Sequence, residues 1–268
     1  MARIVIIGGG FAGLWSAVSA ARKLRELGAE GRITLVNPDA NHSIRVRNYE
    51  EDLASTLVPL ARVLEPIGVR LVIGRATAID TRGHYVDVLT PAAHRLPYDK
   101  LVLASGSQLH RPPIPGLAEH AFDIDTHAAA RRLQQHIAAL PSQAHTPDLF
   151  TAVVVGSGPT GVEIATELPA RLRAAARAHG AAPHEVRVVL LDRTPAIAGQ
   201  LGGARPVIER ACRELGVELM PACSLARLTA REAVLDNGLR IPTATLVWCA
   251  GMQASPLAQS VASRLDRQ

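Results

Sequence analysis

The sequence predicts an α/β protein made of two similar units, each a parallel sheet with helices and an antiparallel hairpin layer. Three observations carry that prediction. Ile4 to Ile7 and Ala152 to Val155 are short apolar runs, largely β-branched, as expected of strands covered on both faces. Each breaks into G-x-G-x-x-G, at Gly8, Gly10 and Gly13 and again at Gly156, Gly158 and Gly161, and then continues as a helical stretch. The chain advances 98 positions from Gly8 to a closing Gly106 and 95 from Gly156 to Gly251, and LPYDKLVLASG in the first half is answered by IPTATLVWCAG in the second.

Each motif glycine meets a separate requirement. The first allows the tight turn, the second lets the backbone approach a pyrophosphate, and the third lets helix and strand pack closely. The helix that follows turns its free N–H groups and positive dipole end toward the phosphates. Strand, glycine turn and helix in that order predict a dinucleotide site in a Rossmann-like unit. Phe11 and Ala12 lie inside the first motif and Pro159 and Thr160 inside the second, so they belong to the candidate sites.

Ile33 to Val36 predicts a second strand, after which an acid for a ribose hydroxyl is expected. The first half has Asn37 there, with Asp39 two positions on; an amide can still bond a ribose, without the strength of a carboxylate. The polar stretch Asn41 to Glu51, with Arg45, Arg47 and Tyr49 closely spaced, reads either as a solvated loop or as a segment lining a cofactor edge. Ser55 to Leu64 has helical spacing and Val69 to Ile73 reads as a strand. The Arg82-Gly83 turn predicts a hairpin over Arg75 to Leu89. Leu101 to Ala104 returns as a core strand ending in Ser105 and Gly106, both candidate cofactor-binding residues. His110 to Leu117, HRPPIPGL, is a proline-stiffened domain junction.

Thr126 to Leu140 predicts an amphipathic helix before the second motif. Val186 to Leu191 then ends in an acid, Asp192, suited to the two hydroxyls of an adenosine ribose and hostile to a 2′-phosphate. The adjacent guanidinium of Arg193 is able to hold that phosphate instead, so NADH is expected ahead of NADPH. Val217 to Leu219, Ser224 to Leu228 and Ala233 to Asp236 read as strands, with Asn237-Gly238 a hairpin turn. Thr245 to Trp248 is a core strand running into Cys249, Ala250 and Gly251.

Composition narrows the function classes. The chain is 48% hydrophobic and 20% charged, which is globular, and with 3% aromatics its core rests on Ala, Val, Leu and Ile. The net charge of +5 comes from scattered arginines, the lysines being Lys23 and Lys100 alone, so no nucleic-acid surface is expected. No run of about 18 apolar residues encodes a membrane span, and strand sequence from the first residues leaves no signal peptide. Three cysteines, Cys212, Cys223 and Cys249, fit a reduced cytoplasmic setting better than a disulfide framework. The histidines, His42, His84 and His94 among them, are scattered without metal spacing and read as surface residues, so no metal is expected.

Two dinucleotide sites in one chain imply two nucleotides, for which the economical chemistry is hydride transfer from a nicotinamide to a flavin. Here IVIIGGGFAGL, LVLASGS followed by PPIPG, VVVGSGPTGVEIATEL and LVWCAG resemble the FAD-dependent pyridine nucleotide reductases with two dinucleotide-binding domains, and within them the type II NADH dehydrogenases, through GPTGVE. The resemblance implies an NAD(P)H domain inserted in an FAD domain: residues 1–112 for FAD, 113–251 for NAD(P)H and 252–268 a return segment. It implies that Gly8, Gly10 and Gly13 hold the ADP part of FAD and that Gly156, Gly158 and Gly161 hold NADH. It also implies that Glu163 lies near the nicotinamide and flavin rings as a catalytic group; the bland reading of Glu163 is a first-turn acid favouring the helix dipole.

Disulfide reductases of this family carry a redox cysteine pair, which the present sequence lacks, and peroxidase-like members carry a cysteine where His42-Ser43 stands. Electrons are therefore expected to leave for a quinone, another small acceptor or oxygen. The family pattern continues with a last strand ending in Gly-Asp and a C-terminal region bearing membrane-docking and dimer-forming helices, while Val261 to Gln268, VASRLDRQ, supplies neither. The sequence thus reads as C-terminally truncated, with membrane contact and a homodimer expected only through that region. A flavin-free NAD(H)-binding module and a ferredoxin or rubredoxin reductase are the alternatives.

Overall fold

A computed structural model describes residues 1–91 and 94–261, and the chain divides into two compact units. The first comprises Met1–Ile44, Ala54–Gln108 and residues 253–261; the second comprises Arg45–Leu53 and Leu109–Met252. The boundaries expected from sequence lay at 112/113 and 251/252, and the stretch 45–53 was expected with the first unit.

The first unit opens with β1 (Ala2–Ile7), α1 (Phe11–Glu26) and β2 (Gly31–Asn37). Short β3 (Asn41–Ser43) and β4 (Leu57–Pro59) pair antiparallel, followed by the single turn α2 (Ala61–Leu64) and β5 (Arg70–Ile73). Ser55 to Leu64 is therefore not one helix: Pro59 has no amide hydrogen for a helical bond, and the residues before it are extended against β3. The strands β6 (Arg75–Asp80), β7 (Tyr85–Leu89) and β8 (His94–Pro97) form an antiparallel meander, turning at Arg82-Gly83 as expected. With β9 (Lys100–Leu103), the main sheet runs β5-β2-β1-β9, all parallel.

The chain continues through β10 (Ser107–Leu109) into α3 (Leu117–His120) and α4 (His127–Ala139), the latter capped by Thr126, whose hydroxyl accepts the Ala129 amide at 3.1 Å. Next come β11 (Thr151–Val155), α5 (Pro159–His179), β12 (Arg187–Leu191), α6 (Arg205–Leu215) and β13 (Val217–Met220). A second meander follows in β14 (Leu225–Leu228), β15 (Glu232–Leu235) and β16 (Arg240–Pro242), then β17 (Thr245–Trp248). The second sheet runs β13-β12-β11-β17, again parallel. Finally β18 (Met252–Ala254) and α7 (Pro256–Val261) lead out. Among the described residues no strand after Gly251 joins the first sheet, and residues 262–268 of the expected return segment lie outside the described residues.

Side-chain alternation explains the layers. Successive residues of a strand face opposite sides. In the first unit Ile6, Ile33 and Leu35 pack with Ala17 of α1 and with Leu60 and Leu64, while Val5, Ile7 and Val36 pack with Val86 and Val88 of the meander. The second unit repeats this: Val154, Val188 and Leu190 face α5, and Val153, Val155 and Leu191 face Leu225, Leu228 and Ile241. Both sheets are thus sandwiched between a helical layer and a meander, the fold class read from the sequence.

Candidate functional site

The two glycine turns are built from the same bonds. Gly8 donates its amide to Val36 O and Gly156 donates to Leu191 O, each at 2.8 Å, which ties the turn to the neighbouring strand. The first glycines take φ of +106° and +101°, a conformation that L side chains avoid. A β-carbon on Gly13 would stand 1.8 Å from the Gly8 carbonyl oxygen, and one on Gly161 1.8 Å from that of Gly156. The third glycine is therefore where helix and turn touch.

The middle glycines differ in the way a ligand cradle requires. A β-carbon on Gly10 would meet nothing within 4 Å, and one on Gly158 would meet only the Gln200 side-chain nitrogen at 3.7 Å. That open space lies at the start of α1 and α5, whose N-termini have neither a side-chain cap nor an acid in the first turn. The first α-helical bonds run from Leu14 to Gly10 and from Val162 to Gly158, so the amides of Phe11, Ala12 and Gly13, and of Thr160 and Gly161, precede the ladder and suit an anion. Phe11, Ala12, Pro159 and Thr160 are exposed there. Both turns fit the pyrophosphate of a dinucleotide.

The closing segments lie against the turns. A β-carbon on Gly8 would lie 2.2 Å from Ala104 O and 3.4 Å from Ser105 N, and one on Gly156 3.0 Å from Ala250 N. Gly106 and Gly251 both take left-handed φ, +67° and +80°. The Ser105 hydroxyl is also 2.6 Å from that of Ser255.

Two residues expected at the riboses brace the turns in the structure. Asn37 is buried; its Oδ1 accepts the Gly9 amide at 2.8 Å while its Nδ2 donates to Asp39 O and Asn41 O at 2.9 and 3.3 Å. Both donors are engaged and Asn37 braces the turn, while its Oδ1 keeps a second lone pair. Asp192, also buried, accepts four bonds: Oδ2 from the amide and hydroxyl of Ser157, each at 2.7 Å, and Oδ1 from the amide and hydroxyl of Thr194 at 2.9 and 2.8 Å. Burial pushes its carboxyl upward, but the hydrogen bonds outweigh burial and hold it below the usual range. A carboxylate has about four lone-pair sites, so Asp192 is a charged brace for the second turn. Arg193 is exposed beside it.

Glu163 sits on α5 beyond the first turn, which has no acid, so the dipole-capping reading does not hold. It is half-buried, and burial raises its carboxyl above the ordinary value. The segment Arg45–Leu53 is not a solvated loop: Asn48 and Leu53 are buried, Asn48 Nδ2 donates to Ile124 O at 3.0 Å, and Tyr49 packs on the core beneath α5. The Tyr49 hydroxyl is shifted upward by burial and then by the charge of Glu163. Cys212 and Cys223 are buried free thiols, and burial raises both Cys212 and the partly buried Cys249. Sequence reasoning missed Ser157, whose hydroxyl also accepts the amide of the left-handed Ala198 at 2.9 Å, and it placed His42 at the surface. His42 is 4% exposed, and its Nδ1 is 2.8 Å from the Gly9 carbonyl oxygen. The D-x-T spacing of Asp192 and Thr194 was the available signal for the first; nothing local marked the second.

Residues 2–267 match the family described as pyridine nucleotide-disulphide oxidoreductase. The chain belongs to that family. A NADH dehydrogenase-like protein of Mycobacterium tuberculosis strain CDC 1551 is 47% identical over 272 residues, covering all of this chain and 67% of that protein. The type II NADH:quinone oxidoreductase NdhA of strain H37Rv is 33% identical over 290 residues, with 98% of this chain and 59% of NdhA covered. The solved structure of NDH2 from Plasmodium falciparum in complex with NADH superposes with a TM-score of 0.83 at 14% identity, over 96% of this chain and 56% of that one, a likeness of fold. The chain thus spans between about half and two thirds of the length of these relatives. Among the described residues no helix is long and apolar enough to cross a membrane.

Proposed function

We propose that the chain is an FAD-dependent NADH dehydrogenase, with FAD held at the first turn and NADH at the second. Oxidoreductase chemistry and the FAD–NADH pair accompany the family, whose relatives include named NADH:quinone oxidoreductases. One observation carries the reading for this chain: two turns of the same build, each closed at its first and third glycine and open at its second. The bound pair supplies hydride transfer from nicotinamide to flavin, with electrons passed on to a quinone-like acceptor. The chain's own part is to hold phosphates on the N-terminal amides of α1 and α5 and to brace the turns through Asn37 and Asp192. Glu163, with its raised carboxyl, is the proposed proton-holding group beside the nicotinamide. Gly8, Gly10, Phe11, Ala12, Gly13, Ser105 and Gly106 form the FAD cradle, and Gly156, Gly158, Pro159, Thr160, Gly161, Ala250 and Gly251 the NADH cradle.

The test is a visible spectrum of the purified chain followed by anaerobic NADH. Flavin absorption bleached by NADH and restored by a short-chain quinone is the expected result. A colourless protein that still binds NADH would contradict it and favour the flavin-free module, a reading to which the engaged amide of Asn37 lends weight.

A further inference from the structure

The two closing glycines are held by a matching pair of bonds. The Gly251 carbonyl accepts the His110 amide at 3.0 Å, and the Gly106 carbonyl accepts the Ser255 amide at 3.4 Å. His110 stands four positions after Gly106 and Ser255 four after Gly251, so each closing glycine is met by the residue four past the other. Both members of each bond lie within one unit. This backbone bond is common to the two halves and belongs to the fold.

The first unit adds a side-chain bond that the second cannot make. Ser105 Oγ and Ser255 Oγ are 2.6 Å apart, a well-formed hydroxyl bond, whereas the second half has Ala250 where the first has Ser105. Among the described residues after Gly251 only Ser255 is buried. Its hydroxyl also accepts the Ala258 amide at 3.2 Å and its carbonyl accepts that of Gln259 at 3.0 Å, so the same residue starts α7. Leu257 packs with Leu101 and Leu103 on the meander side of the first sheet. Ser105 in turn backs the first glycine, since a β-carbon on Gly8 would stand 3.4 Å from its amide nitrogen. The chain after Ala254 is therefore anchored on the sheet at Leu257 and tied to the closing segment of the first turn at Ser105. Facing hydroxyls add little packing that two methyl groups would not; they add a fixed distance between two segments.

Resting on the reading that FAD occupies the first turn, we propose that Ser255 is a positioning residue for FAD: through the Ser105 hydroxyl it holds Ser105 and Gly106 against Gly8, and bound FAD in return tightens residues 253–261. A coupling of this kind is reciprocal. Ser255 acts through Ser105 on this account, and contact with the ligand is not asked of it.

FAD affinity of the flavin-released full chain is read by quenching of flavin fluorescence in Ser255→Ala, Ser105→Ala and the double variant. Amide hydrogen exchange of residues 253–261 is measured in the wild type with and without saturating FAD. Ser255→Ala is expected to weaken FAD about fivefold, in line with the typical worth of one hydrogen bond, and to leave NADH binding at the wild-type value. On the Ser105→Ala background the same substitution should cost nothing further, because the bond it removes is already gone. A residue that only supports the fold would cost as much on either background. FAD should slow exchange of residues 253–261 in the wild type, a readout that needs no variant. Wild-type FAD affinity in Ser255→Ala, equal losses on the two backgrounds, or exchange indifferent to FAD would overturn the proposal alone. A wild-type chain that binds NADH but no FAD would overturn the assignment of the turn, and the proposal with it.

Discussion

The two glycine turns share one backbone and differ in what braces them. Their first glycines, their tie to the neighbouring strand and the contact of third glycine with first agree closely. In the first turn a neutral amide, Asn37, holds the Gly9 amide and leaves one lone pair over. In the second a carboxylate, Asp192, takes four donors from Ser157 and Thr194. Pro159 at the head of α5 also removes an amide that α1 retains at Phe11. The backbone plan is therefore indifferent to the charge of its brace, whereas pH dependence and donor count are set turn by turn. Only the second turn relies on an ion kept charged in a buried place.

The largest effect that would break this comparison comes from the shared contact. Gly13→Ala and Gly161→Ala each drive a methyl into a backbone oxygen that has no room to move, and each is expected to lower stability by about 3 kcal/mol, read by denaturant unfolding. Equal losses confirm a common backbone plan; a tolerated substitution in one turn would break it. Next in size is Asp192→Asn, which meets the Ser157 and Thr194 donors with a further donor and is expected to lower stability by about 1–3 kcal/mol at neutral pH. The sign with pH is defined. Because the folded carboxyl lies below its ordinary value, its stabilisation is complete above the unfolded value of about 4 and fades as pH falls through the folded value. Wild type and Asp192→Asn should therefore converge in acid. The smallest effect belongs to Glu163→Gln. The folded carboxyl of Glu163 lies above its ordinary value, so wild type loses stability as pH rises from about 4 through that folded value. The variant should be more stable by roughly a few tenths of a kcal/mol at pH 8 and equal at pH 3.

Much of this was legible in the chain itself. Runs such as Ala152 to Val155 read as doubly covered strands, and the first and third glycines announce their turns because a side chain at either would be strained or would collide with backbone. The braces were not legible. Whether Asn37 points at a ribose or back at Gly9 depends on the position of Asp39 and Asn41 in three dimensions, which spacing does not give. Ser55 to Leu64 failed as a helix because periodicity outweighed Pro59 in the reading, and Pro59 wins in the structure. His42 looked like a surface residue because its partner is a backbone carbonyl 33 positions away, which leaves no local pattern.

The central claim is that the two open middle glycines admit two different nucleotides. Gly10→Ala and Gly158→Ala place a methyl in space that the protein does not use, so folding should be nearly unaffected while the cradle is filled. Titration of each variant with FAD and with NADH is the direct measurement. Gly10→Ala should weaken FAD at least tenfold and leave NADH binding intact, and Gly158→Ala should do the reverse. Loss of both ligands from either variant, or of neither from both, would contradict the account.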